Sequence, residues 1–151
     1  NQVSEGRLSS ESKLKIRAML REVTEIESIG DSCYNLARTI NHKYRGNEDF
    51  TEKQYSHIHQ MFQLTDDALN QMVSLVEDEG HQVDVNKSFN LENEINNYRS
   101  QLKNQNVLDV NNKEYDYQMG VHYMDLIGEC EKLGDYIVNV VEARTDMKEK
   151  K

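Results

Sequence analysis

The chain has no proline, no tryptophan, seven glycines and two cysteines in 151 residues. Without proline the strongest helix breaker is gone, which leaves room for long uninterrupted helices. The two cysteines, Cys33 and Cys130, form no Cys-x-x-Cys pair, so both read as reduced thiols packed as small apolar residues in a cytosolic domain. Long apolar runs are missing too. None approaches the roughly 18 residues of a membrane span, and the polar start, Asn1 to Ser12, does not read as a signal peptide. Positive charge is the minority, with 18 Lys and Arg against 27 Asp and Glu and a net charge of −9. Such a surface repels nucleic acid and favours cations and basic partners. No Gly-rich phosphate loop, Gly-x-Ser-x-Gly or His-Glu-x-x-His motif occurs, so nothing positive points to an enzyme. Nor is there a Glu-x-x-His, which disfavours a ferritin-like di-iron oxidase.

What is present is helical periodicity in a length that fits one domain spanning residues 1–151. Only 36% of residues are hydrophobic and 30% are charged, a ratio suited to amphipathic helices with one buried stripe. Four long helices are expected, and no stretch reads as a strand with hairpin turns. The first covers about 10–44, with Ile16, Leu20, Val23, Ile26, Cys33, Ala37 and Ile40 near helical spacing, and is closed by Arg45-Gly46-Asn47. The second opens at Thr51, where Thr51 and Gln54 form a capping box and Phe50 staples onto Tyr55; Gly80 marks its end. The third covers about 84–104. Nine asparagines between Asn86 and Asn112 make it the helix most dependent on tertiary packing. The fourth covers about 112–144, with Asn111 and Glu114 as a second capping box, Val110 and Tyr115 as its staple, and 147–151 as a frayed tail. Short connections between long helices imply antiparallel neighbours.

An internal repeat carries the chemistry. Glu25-Ile26-Glu27-Ser28-Ile29-Gly30-Asp31 runs on to Asn35, and Glu129-Cys130-Glu131-Lys132-Leu133-Gly134-Asp135 runs on to Asn139. The offset is 104 positions at every match. Glu27, Asp31 and Asn35 stand at i, i+4 and i+8, on one helical face, as do Glu131, Asp135 and Asn139. Two carboxylates one turn apart repel, so a cation or a nearby base is needed to offset them. The asparagine can orient a carboxylate or a water through its amide. Gly30 and Gly134 each cost a helix about 1 kcal/mol relative to alanine. Their shared position points to close approach of another helix or a ligand. The rival reading is a solvated acidic face on each helix. His42, His57, His59, His81 and His122 are scattered and read as surface or half-buried residues.

The residues from Ile26 to Asp31, continuing through Asn35-Leu36-Ala37, resemble the signature helix of PhoU proteins; Asp125-Leu126-Ile127 through Asp135 and Asn139 resemble its second copy. Leu91-Glu92-Asn93-Glu94-Ile95 is a weaker echo. The resemblance implies an all-α, PhoU-like antiparallel bundle with an internal motif repeat, regulating phosphate uptake without being an enzyme. It also implies metal ions, often iron or zinc, on Glu27, Asp31, Glu131 and Asp135. Family members have six helices in two three-helix repeats; four here look as if the outermost helix of each half were absent. The form it is most similar to is the cytosolic tail of sodium/phosphate cotransporters, and Asn1 in place of methionine fits excision from such a transporter. The implied partner is then a membrane transporter domain of the same chain, at the inner face of the plasma membrane. A stand-alone phosphate-signalling regulator and a metal-free dimerising bundle are the alternatives.

If the first and fourth helices are antiparallel with matched ends, Asp31 lies level with position 125 and the two motif aspartates stand about 15 Å apart along the axis. Two separate sites are then expected. Asp125 and Glu129 would approach Glu27 and Asp31, a set suited to magnesium, calcium, manganese or iron, while Arg21 would approach Asp135.

Overall fold

The computed structural model describes residues 9–45, 49–77 and 84–149, with the side chains of 42–45 and 147–149 left out. The expected ends at Gly46-Asn47 and Gly80, the side chain of His42, the whole of His81, and residues 150–151 of the expected frayed tail lie outside that set, while 147–149 continue the last helix. Four helices make up the fold: α1 (Ser10–Arg45), α2 (Glu52–Glu77), α3 (Val85–Asn111) and α4 (Tyr117–Glu149). No strand occurs among the described residues.

The start of α2 is built as its sequence dictates. Thr51 N donates to Gln54 Oε1 at 2.9 Å and Gln54 N donates to Thr51 Oγ1 at 3.1 Å, the two halves of a capping box. Phe50 meets Tyr55 edge to face at 5.6 Å between ring centroids. The start of α4 differs from expectation. Asn111 and Glu114 do not cap it; Asp116 does, its Oδ1 accepting from Met119 N at 2.8 Å. The preceding residues are used to close α3. Glu114 N donates to Asp109 O and Lys113 N to Val110 O, with Lys113 at φ 60°, which is a Schellman closure carried by a lysine instead of the usual glycine. α3 is therefore seven residues longer than the expected end at 104, and α4 begins and ends five residues later than expected.

The helix α4 is the centre of the fold. α2 and α3 pack on it and on each other, while α1 packs on α4 alone. Ile95, Met61, Ile127, Ile137, Val140 and Val141 are almost wholly shielded from water in the shared core. Burial of this kind stabilises by roughly 25 cal/mol per Å² of apolar surface; it joins α2, α3 and α4 in one core, to which α1 adds Ile29. α1 is the exception, since Ile16, Met19, Leu20, Val23, Ile26 and Tyr34 stay exposed. Among the described residues, α2, α3 and α4 pack as a three-helix unit and α1 packs on α4 beside it.

Candidate functional site

The motif helices α1 and α4 run antiparallel, and the seam between them is polar at its middle. Asn35 Nδ2 donates to Glu129 Oε1 at 3.2 Å, and Asn139 Nδ2 donates to Glu25 Oε2 at 3.1 Å. Glu25 and Glu129 are repeat partners 104 positions apart, and so are Asn35 and Asn139. The two hydrogen bonds are one contact made twice, as an approximate two-fold relation between α1 and α4 requires. Ser32, 2% exposed, adds a donor to Glu129 Oε1 at 3.0 Å. Both asparagines therefore orient a carboxylate, but across the seam and not one turn back on their own helix. Sequence reasoning passed over Glu25 although it opens the first motif as Glu129 opens the second. The helical period alone separates the roles, because Glu27 lies about 200° round the helix from Glu25.

The register corrects the expected one. With Asn35 opposite Glu129 and Glu25 opposite Asn139, Asp31 lies level with Leu133. The motif aspartates are then about 3 Å apart along the axis, two residues at the helical rise, instead of about 15 Å. Asp125 and Glu129 do not gather around Glu27 and Asp31: Glu129 is held by Ser32 and Asn35, and Asp125 is exposed. Nor does Arg21 meet Asp135; it pairs with Asp146 at 2.6 Å. Displacement of α4 by five residues from its expected bounds explains most of the shift from 125 to 133, and the rest arises because the ends of α1 and α4 are not level.

Around the second motif the neighbours come from α3. Arg99 Nε lies 3.5 Å from Glu131 Oε1. Burial raises Glu92 above the usual carboxylate range; the Asn96 amide opposes this, and the charges of Asp135 and Glu142 add to it. Burial raises Asp135 as well. At Gly134 a Cβ would stand 3.4 Å from Ile95 Cδ1 of α3, a close but ordinary contact. Gly30, at the matching position, has nothing within 4 Å of where its Cβ would be. Glu27 and Asp31 are exposed and make no ion pair or side-chain hydrogen bond. The first motif is thus a copy of the second without the helix that attends it.

Asn35, Asp125, Glu129 and Glu131 border a polar cleft of about 470 Å³ between α1, α3 and α4. Its carboxylates are matched by bases: Lys132 Nζ stands 3.5 Å from Glu129 Oε2, Arg99 attends Glu131, and Arg38 lines the rim. Among the described residues no three His, Cys, Asp or Glu side chains converge as ligands for a metal ion. Glu129 and Glu131 each have a base beside them and no three described donors converge, so the residues do not gather as a metal cluster would need. Cys130, hydrogen-bonded to Thr65, has its thiol pushed up to about 12, chiefly by burial, which keeps it protonated and inert. His57 Nδ1 stands 3.1 Å from Tyr123 Oη, and burial followed by the charge of Lys53 lowers its pKa while Asp109 opposes them. Half-buried His57 and exposed His59 fit the roles expected of them.

A helical bundle whose first and last helices share one motif is the architecture the resemblance implied; the clasp between the two copies is added by the structure. The PhoU domain family model matches residues 58–143, more than half of the chain. The protein belongs to the PhoU family. No curated protein and no solved structure matches the chain. The matched segment holds most of α2, all of α3 and most of α4, which is the three-helix unit defined by the packing.

Proposed function

We propose that this chain is a regulatory module of phosphate uptake, carried at the cytoplasmic face by a sodium-dependent phosphate transporter and acting through helix contacts. Membership of the PhoU family carries the reading. Two features support it. No described helix is long and apolar enough to cross a membrane, which fits a module carried by a separate membrane domain as it also fits a stand-alone regulator. The seam between α1 and α4 joins the two copies of the motif through reciprocal hydrogen bonds, a contact through which helix movements would be passed on. We assign no catalytic step to the chain.

The test is sodium-driven phosphate uptake in cells whose transporter carries this domain either intact or with the clasp broken by Glu25→Ala and Glu129→Ala. Broken clasps are expected to change how uptake responds to external phosphate while the rate in starved cells is kept. An unchanged response would contradict the proposal. A response restored by the separate chain in trans would assign it to a stand-alone regulator. The reading uses no metal. Elemental analysis of protein purified without chelator checks this, and a stoichiometric metal lost in Glu131→Ala/Asp135→Ala would overturn it.

A further inference from the structure

The open side of α1 has an apolar or small residue at two heptad positions in every repeat. Ile16, Val23, Gly30 and Ala37 stand seven residues apart. Met19, Ile26, Cys33 and Ile40 follow each of them by three. All are exposed. The side of α1 that meets α4 is a different one, where Ala18, Glu22, Ile29 and Ser32 are buried. The matching stripe on α4, from Tyr123 to Val141, lies in the core. Scattered apolar side chains on a surface need no explanation. An unbroken apolar heptad is different, because it keeps one seam turned towards a single partner helix, as in a two-stranded coiled coil. Its bulk lies in the first half of α1, where Ile16, Met19, Leu20, Val23 and Ile26 are 42–62% exposed.

Charge says what the partner helix is and which way it runs. Lys13 and Arg17 stand one turn apart along one flank of the seam, and Glu27 and Asp31 stand one turn apart on the same flank further on. None of the four makes an ion pair or a side-chain hydrogen bond. A parallel copy of α1 would set bases on bases and acids on acids. An antiparallel copy sets the basic pair of each chain against the acidic pair of the other, twice over by the two-fold symmetry of such a dimer. The helix is thus complementary to itself in one direction only.

We infer that α1 pairs with α1 of a second copy of this chain, antiparallel and centred near Leu20. Ile16 then layers on Ile26 of the partner subunit, Met19 layers on Val23 of the partner subunit, and Lys13 comes beside Glu27 of the partner subunit. The first motif gains from the other chain the base that the second motif finds in Arg99 of its own. Only a few apolar layers are involved, which suits an interface at the small end of the range and a dimer of micromolar strength. At low concentration the chain is a monomer with this face open to water, and single-chain stabilities are measured there. The inference stands on the heptad and the charges, independently of any role in phosphate uptake.

The test is sedimentation equilibrium from about 1 µM to about 500 µM chain, a range that brackets micromolar association. The mass is expected to rise from 17.7 kDa to twice that value. Val23→Asp should weaken association about a hundredfold or more, because it puts a carboxylate into an apolar layer. Its helix content by circular dichroism should be unchanged, since Val23 is exposed in the single chain. Lys13→Glu with Arg17→Glu leaves the apolar seam alone and should weaken association about tenfold. Adding Glu27→Lys with Asp31→Lys to that same chain should restore it to within about threefold, because the pairs are again opposite in sign. A mass of 17.7 kDa throughout overturns the inference, and so does a dimer that Val23→Asp leaves intact. A dimer lost in Val23→Asp but indifferent to the charge reversal overturns the antiparallel pairing. Phosphate uptake does not enter any of these readings, so their failure is separate from failure of the regulatory proposal.

Discussion

Two faces of this molecule carry nearly the same pattern and meet opposite fates. On α4 the stripe from Tyr123 to Val141 is the core of the protein; on α1 the matching stripe from Met19 to Ala37 faces water. Apolar periodicity therefore states that a helix has a partner face, and says nothing about whether the partner is present. Only the seam between the two helices, where each copy of the motif meets the other, is satisfied on both sides.

The widest expected gap is between the twin positions 127 and 23. Ile127 is 0% exposed and Val23 is 55% exposed. Ile127→Ala should cost about 2–5 kcal/mol through the cavity it leaves. Val23→Ala should stay within about 0.5 kcal/mol, as for other surface changes. Chemical denaturation of the 151-residue chain measures both, and equal costs would mean that α1 is covered in solution.

The ends of the seam give the next contrast. Arg144 donates to Glu22 at 2.8 Å, and Glu22 is only 6% exposed, whereas Arg21 and Asp146 pair in the open. Arg144→Ala strands a buried carboxylate and should cost about 3 kcal/mol. Arg21→Ala should cost less than about 1 kcal/mol. The same denaturation experiment ranks them, and the reverse order would show that Glu22 is not held as described.

The glycine twins should respond with opposite signs. Gly30→Leu meets open space and removes a helix-destabilising residue, so it should raise stability by about 0.5–1 kcal/mol. Gly134→Leu drives a side chain into Ile95 and should lower stability by about 1–3 kcal/mol. Thermal melts of the two variants decide it, and a loss in both would mean that something already lies over Gly30.

The smallest effect is on pH. Glu92 and Asp135 have carboxyls raised by burial, so the folded chain binds protons more readily than the unfolded one. Their contribution is most favourable below the usual carboxylate pKa and is lost as pH rises through the raised values. Glu92→Gln should remove part of this slope and add a few tenths of a kcal/mol at pH 7, since both groups are partly solvated. Denaturation midpoints from pH 4 to 7 would check the sign.

The sequence carried the helices and the repeat, and lost the thread at particular residues. Thr51 and Gln54 announced the start of α2 because a capping box is a local interaction. Asn111 and Glu114 announced a start that does not exist, because a lysine at positive φ closes α3 there and lysine gives no signal for that conformation. That error displaced α4 by five residues and accounts for most, not all, of the eight-position change in the register of the seam. Glu27, Asp31, Glu131 and Asp135 were legible as a repeated acidic face. Which face of each helix meets the other depends on packing, and so Glu25 and Glu129 emerged only in three dimensions.

The reciprocal seam is tested most directly by double-mutant cycles on its two hydrogen bonds, Asn35→Ala with Glu129→Ala and Asn139→Ala with Glu25→Ala. Coupling of about 1 kcal/mol is expected in each, as for a partly exposed bond to a carboxylate, and the two values should agree within about 0.5 kcal/mol. Coupling indistinguishable from zero in either cycle would contradict the claim that the repeat folds α1 and α4 onto each other as equivalents.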